Sequence, residues 1–165
     1  MNKGATLAAV MAAVTAAMAW AASGGAAKLG CTAGLTKYGG ATARVFCGSA
    51  TATVHAGGKT FTIRQGACDK GAKYLAINIG EVVLGTSTKP KPEYFGLDIG
   101  KLPLIGGAPA SNDGTYHSGI VALAHAGKGY ALRGQATVKL TNGRTRGTFS
   151  ATQLTGGVVT GSFKC

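Results

Sequence analysis

Acidic side chains are scarce: five Asp and Glu stand against 17 Lys and Arg in 165 residues, a formal charge of +12. That balance favours acidic partners without naming one. Charged residues make up only 13% of the chain and aromatics 7%, while 45% is hydrophobic, which excludes high-charge disorder and a coiled coil. No long segment carries helical periodicity, so a helical domain is excluded as well. Missing motifs exclude further classes. Without a Cys-x-x-Cys pair or closely spaced histidines there is no structural zinc signature. Without Gly-x-Ser-x-Gly there is no nucleophile elbow, and His117 beside Ser118 is a loop coincidence. Gly39-Gly40 and Gly106-Gly107 belong to no phosphate-binding loop and read as turns.

What is present begins with an address. Met1-Asn2-Lys3-Gly4 carries one basic side chain, and Ala5 to Ala19 is an almost unbroken apolar run ending in small residues. This is the pattern of a secretory signal peptide. Ala17-Met18-Ala19 and Ala19-Trp20-Ala21 both offer a small-x-small site, and Ser23-Gly24-Gly25 follows as a helix-breaking exit, so cleavage is expected near Ala21 or Ala22. The chain then divides into a signal peptide (1–22), a flexible N-terminal segment (23–40) and one domain (41–165). An uncleaved anchor helix is the competing reading, weakened by Gly24 and Gly25. The expected location is extracytoplasmic, secreted or at the cell surface.

The four cysteines, Cys31, Cys47, Cys68 and Cys165, all follow that cut. An even count in an exported chain reads as disulfides, which leaves no cysteine nucleophile. Three pairings are open and sequence alone does not choose; our expectation is Cys31 with Cys47 and Cys68 with Cys165. Cys31 has a second fate as the acylated residue of a lipoprotein, although Lys28 puts a charge where that motif wants an apolar residue.

From Ala41 onward, short runs rich in Val, Thr, Ile and Phe alternate with Gly, Asn-Gly and Pro clusters, an all-β signature. Strands are expected at 43–47, 49–55, 60–64, 74–79, 81–84, 94–99, 118–125, 129–140, 144–154 and 158–165. Long loops are expected at 86–93 and 101–117. The fold class is an antiparallel β-sandwich of immunoglobulin-like size or a small, partly open barrel. Hairpins turn at Ala56-Gly57-Gly58-Lys59, at Ala126-Gly127-Lys128-Gly129 and, most clearly, at Asn142-Gly143, whose two residues both tolerate positive φ. A two-residue turn there sets Thr141 against Arg144, Leu140 against Thr145 and Lys139 against Arg146. Ala136, Val138, Leu140 and Phe149 then share the core side, while Lys139, Arg144 and Arg146 form a basic, anion-facing patch. Like charges so placed cost stability unless solvated or neutralised.

The run Gly58-Lys59, Gly66-Ala67-Cys68, Ala76-Ile77-Asn78-Ile79-Gly80, Gly96-Leu97, Tyr130, Gly134-Gln135-Ala136-Thr137 and Phe163-Lys164-Cys165 resembles, in order, the mycobacterial 19 kDa lipoprotein antigen family. It covers roughly the last two thirds of the chain. The resemblance implies an exported cell-surface β-sandwich, a Cys68 to Cys165 bridge and no enzymatic activity. The departure at Lys28 to Cys31 puts the family's lipid tether in doubt.

Candidate chemistry is thin. Glu93 and Asp98 would serve a glycosidase only if the fold brought them together, and surface charges are the blander reading. His55, His117 and His125 could converge with Asp113 on a metal ion, yet two of them end strands before glycine turns, where exposed rings are common. No cofactor, metal or catalytic residue is expected. The expected function is non-enzymatic binding, with anionic envelope polymers or lipid headgroups as partners. Nucleic acid ranks low because the aromatics fall on apolar strand faces. A membrane tether is expected only with an acylated Cys31 or a retained leader. The alternatives are a structural envelope protein, a carrier of a small hydrophobic ligand and, last, a metal-dependent enzyme.

Overall fold

The computed structural model describes residues 31–38, 41–84, 93–102 and 107–165. The signal peptide assigned to 1–22, Lys28, and the loop 86–93 apart from Glu93 lie outside the described residues. Among the described residues twelve strands follow in chain order: β1 (Gly34–Tyr38), β2 (Ala41–Val45), β3 (Thr51–Ala56), β4 (Lys59–Arg64), β5 (Gly66–Lys70), β6 (Tyr74–Leu84), β7 (Tyr94–Gly100), β8 (Gly114–His125), β9 (Lys128–Tyr130), β10 (Leu132–Thr141), β11 (Arg146–Gln153) and β12 (Val158–Lys164). All pairings are antiparallel. Hydrogen bonding runs β1-β2-β6-β7-β8-β10-β11-β12-β3-β4, with β5 on β6 and β9 on β8, in one sheet that does not close.

The sheet bends into two layers at places the chain itself defines. Strand β8 pairs with β10 along its first half and with β7 along its second. Gln65, at φ 65°, separates β4, which pairs with β3, from β5, which pairs with β6. One layer therefore holds β3, β4 and β10 to β12; the other holds β5, β6 and β7. Alternation delivers the core: in β12 Val159, Gly161 and Phe163 are buried while Val158, Thr160, Ser162 and Lys164 are exposed. Phe95 of β7 and Phe149 of β11 meet across the layers with ring centroids 5.0 Å apart, among Ile77, Leu97, Val138 and Val159. Full burial of such side chains contributes roughly 1.5–3 kcal/mol each.

Two glycines on the core side are required by two rings. Phe163 lies opposite Gly147 and Phe149 opposite Gly161 across the β11–β12 pair. A Cβ on Gly161 would sit 2.6 Å from the Phe149 ring and collide with the Thr53 carbonyl. Each ring thus fills the place of its partner's missing side chain.

Where the strands differ from expectation, the reasons are local. The 74–79 and 81–84 runs join as one strand through Gly80, which takes φ 84° without a Cβ penalty. The run 129–140 divides into β9 and β10. Strand β8 starts at Gly114, inside the expected 101–117 loop. Strand β5 was not expected, and β1 falls inside the segment expected to be flexible, where it pairs with β2.

Both expected disulfides are formed, Cys31 with Cys47 and Cys68 with Cys165, and no cysteine is free. The first closes the base of the β1–β2 hairpin. Because it engages the Cys31 sulfur, that sulfur cannot also carry a thioether lipid. The second joins β5 of one layer to the end of β12 in the other and closes a loop of 97 residues, against 16 for the first. Loop-closure entropy grows with the logarithm of loop length. Cys68→Ala/Cys165→Ala should therefore cost about 1–2 kcal/mol more than Cys31→Ala/Cys47→Ala in a denaturant titration. A smaller loss from the longer loop would contradict this role.

Candidate functional site

The hairpin that organises the basic side chains does not turn in two residues. Asn142, Gly143 and Arg144 all take positive φ (56°, 64° and 62°), and the register sets Thr141 against Arg146, Leu140 against Gly147 and Lys139 against Thr148. The expected pairing is displaced by two residues. A displacement of two preserves every face assignment, so Val138, Leu140 and Phe149 are buried and Lys139 and Arg146 are exposed on the opposite side, as expected.

Arg144 is the exception, and its place in the patch is corrected. Its Nη1 lies 2.8–3.1 Å from the carbonyl oxygens of Ala110, Gly71 and Tyr74, so the guanidinium clamps two other chain segments, the β5–β6 turn and Ala110, to its own. The turn is in turn held by Asp113, whose two carboxylate oxygens accept the Gly143 and Arg144 amides at 3.0 and 2.7 Å. Successive left-handed residues point their amides the same way and make a small anion seat.

With Arg144 removed, the patch gains Lys164. On the outer face of β10, β11, β12, β3 and β4, cross-strand neighbours form three rows. The first reads Thr141, Arg146, Lys164, Thr51, Arg64. The second reads Lys139, Thr148, Ser162, Thr53, Thr62, and the third Thr137, Ser150, Thr160, His55, Thr60. Neighbours within a row are about 4.8 Å apart and rows about 6.8 Å. Lys139, Arg146 and Lys164, with Thr51, Thr148 and Ser162, line a concavity of about 490 Å³. Arg146 and Lys164 stand directly opposite one another, an arrangement that costs stability in the absence of an anion.

No acid offsets these cations, because all five lie elsewhere. Asp113 holds the 142–145 turn. Asp69 accepts from the Tyr74 hydroxyl at 3.0 Å. Glu93 accepts the Ala126 amide at 2.9 Å and His125 Nδ1 at 2.6 Å, which fixes the β8–β9 turn where Ala126 takes φ 52°. Burial, then the charge of Glu93, raises the Glu81 carboxyl. Burial pushes the Asp98 carboxyl up to about 6. Beside it, burial and then the Asp98 charge raise the Tyr94 hydroxyl, which donates to Asn78 Oδ1 at 2.6 Å.

The other candidate groupings do not assemble. His55 bonds to Thr60 (2.7 Å), His117 to Thr137 (3.1 Å) and His125 to Glu93, while Asp113 serves the turn. Among the described residues no three His, Cys, Asp or Glu are placed to hold a metal ion. Glu93 serves the β8–β9 turn, while Asp98 stands five residues further along, within β7. The carboxylates the fold does bring near each other are Glu81 and Glu93, in a second concavity of about 450 Å³ with Arg64 and His125, whose ring stacks on Phe61 at 3.8 Å. Nothing local in the sequence marks that pair, since β6 and β7 bring it together. The Thr and Ser rows, by contrast, are legible as alternation with buried residues in β3, β11 and β12.

Comparison with protein-family models, curated proteins and solved structures gives no match. The functional reading therefore rests on the chain's own geometry.

Two outcomes are expected. Arg144→Gln should lower stability by about 1–3 kcal/mol through three abandoned carbonyls yet leave anion binding unchanged; a loss of binding in the folded variant would restore Arg144 to the patch. For Asp98, the folded value of about 6 exceeds the reference 3.8, so its contribution is complete below pH 3.8 and is lost as pH rises to 6. Asp98→Asn should raise stability by on the order of 1–2 kcal/mol at pH 7 and by nothing at pH 3. Equal gains at both pH values in thermal melts would contradict the assignment.

Proposed function

We propose that this is an exported bacterial protein, secreted or held at the cell surface, that has no enzymatic activity and acts by binding anionic components of the cell envelope. The observation that carries the reading is the outer face of β10, β11, β12, β3 and β4. There Lys139, Arg146 and Lys164 line one concavity without an acidic partner, in a chain whose five acids all lie elsewhere. Two disulfides fit an oxidising, extracytoplasmic compartment. The apolar run ending at Ala19 supports export. The ordered resemblance to the 19 kDa lipoprotein antigen family supports a cell-surface role. With the Cys31 sulfur in a disulfide, attachment through electrostatics takes the place of a lipid.

Sedimentation with envelope fractions across a salt series tests this. Binding should weaken steadily with salt, and Lys139→Gln/Arg146→Gln/Lys164→Gln should reduce it about tenfold at low salt. Binding that is absent at every salt concentration, or unchanged in the triple variant, would overturn the proposal.

A further inference from the structure

Lys139, Arg146 and Lys164 gather toward one border of the outer face, with Arg133 alone at the other, opposite Thr152. Beside them lies a field of hydroxyls, and the two are arranged differently with respect to their partners. At the margins, Thr51 apart, the hydroxyls are spoken for: Thr53 shares a hydrogen bond with Thr62 at 3.3 Å, Thr60 with His55, Thr137 with His117, and Thr141 donates to the Arg146 carbonyl at 3.4 Å. At the centre they are not. Thr148, Ser162, Ser150 and Thr160, a two-by-two block on β11 and β12, make no side-chain hydrogen bond to another described residue, and all four are exposed. Thr148 is the cross-strand neighbour of Lys139, and Ser162 stands one row from Lys164 and diagonal to Arg146.

Resting on the anion-binding reading above, we infer that the ligand of this face is an acidic polysaccharide lying across the strands. Its anionic groups meet Arg146, Lys164 and Lys139, and its neutral hydroxyls meet the Thr148, Ser150, Thr160 and Ser162 block. Charge alone would not call for that block; a ligand carrying anions and hydroxyls on the same backbone uses both. The first row spans five strands, about 19 Å, which suits a chain rather than a single small anion. The same face argues against the other polyanions. Its three rows hold no Phe, Tyr or Trp to stack on a nucleobase, and the exposed Val158 in the next row is a single apolar side chain, too little to enter a bilayer. Sugar hydroxyls, by contrast, can both donate to and accept from Ser and Thr hydroxyls, whose protons rotate to suit.

Binding of the full chain to four probes tests the inference: polygalacturonate, neutral dextran, inorganic polyphosphate and phosphatidylglycerol vesicles, all at one low ionic strength. Polygalacturonate should bind most tightly and dextran should not bind. Thr148→Val/Ser162→Ala/Thr160→Val should weaken polygalacturonate about tenfold while leaving polyphosphate within about twofold. Thr148→Ser/Thr160→Ser, which keeps the hydroxyls, should bind like the unmodified chain and controls for folding. If the hydroxyl-deleted variant holds polygalacturonate undiminished, or polyphosphate or the vesicles bind more tightly, the polysaccharide assignment is overturned. Loss of those tighter ligands on Lys139→Gln/Arg146→Gln/Lys164→Gln would then leave anion binding standing. If that charge variant alters none of the probes, both readings fail together.

Discussion

The bond between Cys68 and Cys165 is the constraint on which the rest of the molecule leans. Strand β12 is central, since it sits between β11 and β3 in the middle of a layer. The bridge pins that strand to β5 in the opposite layer across 97 residues of sequence. Phe163 and Gly161 then lock into Gly147 and Phe149 on the inside, which leaves Thr160, Ser162 and Lys164 at fixed intervals outside. A rigid outer face follows from a packed inner one.

The charge pattern follows from the same economy of acids. Each carboxylate lies away from that face: Asp113 and Glu93 satisfy the amides of left-handed turns, Asp69 takes a tyrosine hydroxyl, and Glu81 and Asp98 stand on β6 and β7, where partial burial raises them. None remains to neutralise the outer face of β10 to β12. The facing pair Arg146 and Lys164 is thus a local cost that an anion relieves, and that relief is what turns a solubilising charge excess into a binding surface. The hydroxyl block beside it adds a second kind of contact that charge does not provide.

Much of this was legible because period-two alternation is a strong signal in exposed antiparallel strands. The core set Val138, Leu140 and Phe149 and the opposite placing of Lys139 and Arg146 follow from alternation alone, and they survive a two-residue error in register. Arg144 was misread for a local reason. Asn-Gly specifies a turn but not that a third left-handed residue follows, and it is Asp113, about thirty residues away in sequence, that stabilises the longer form. Lys164 was missed because its neighbour Arg146 lies on another strand pair, and the nearness of Glu81 to Glu93 depends on the β6–β7 register. Strand β1 carries too little apolar pattern to read as a strand, and its pairing with β2 accompanies the Cys31–Cys47 bridge.

Peptide mass mapping of the protein recovered from the exporting cell, alkylated before any reduction, tests the central claim most directly. The account predicts no alkylated cysteine and cross-linked peptides that join Cys68 to Cys165 and Cys31 to Cys47. Alkylated thiols at Cys68 and Cys165, or a bridge from either of them to Cys31 or Cys47, would contradict it.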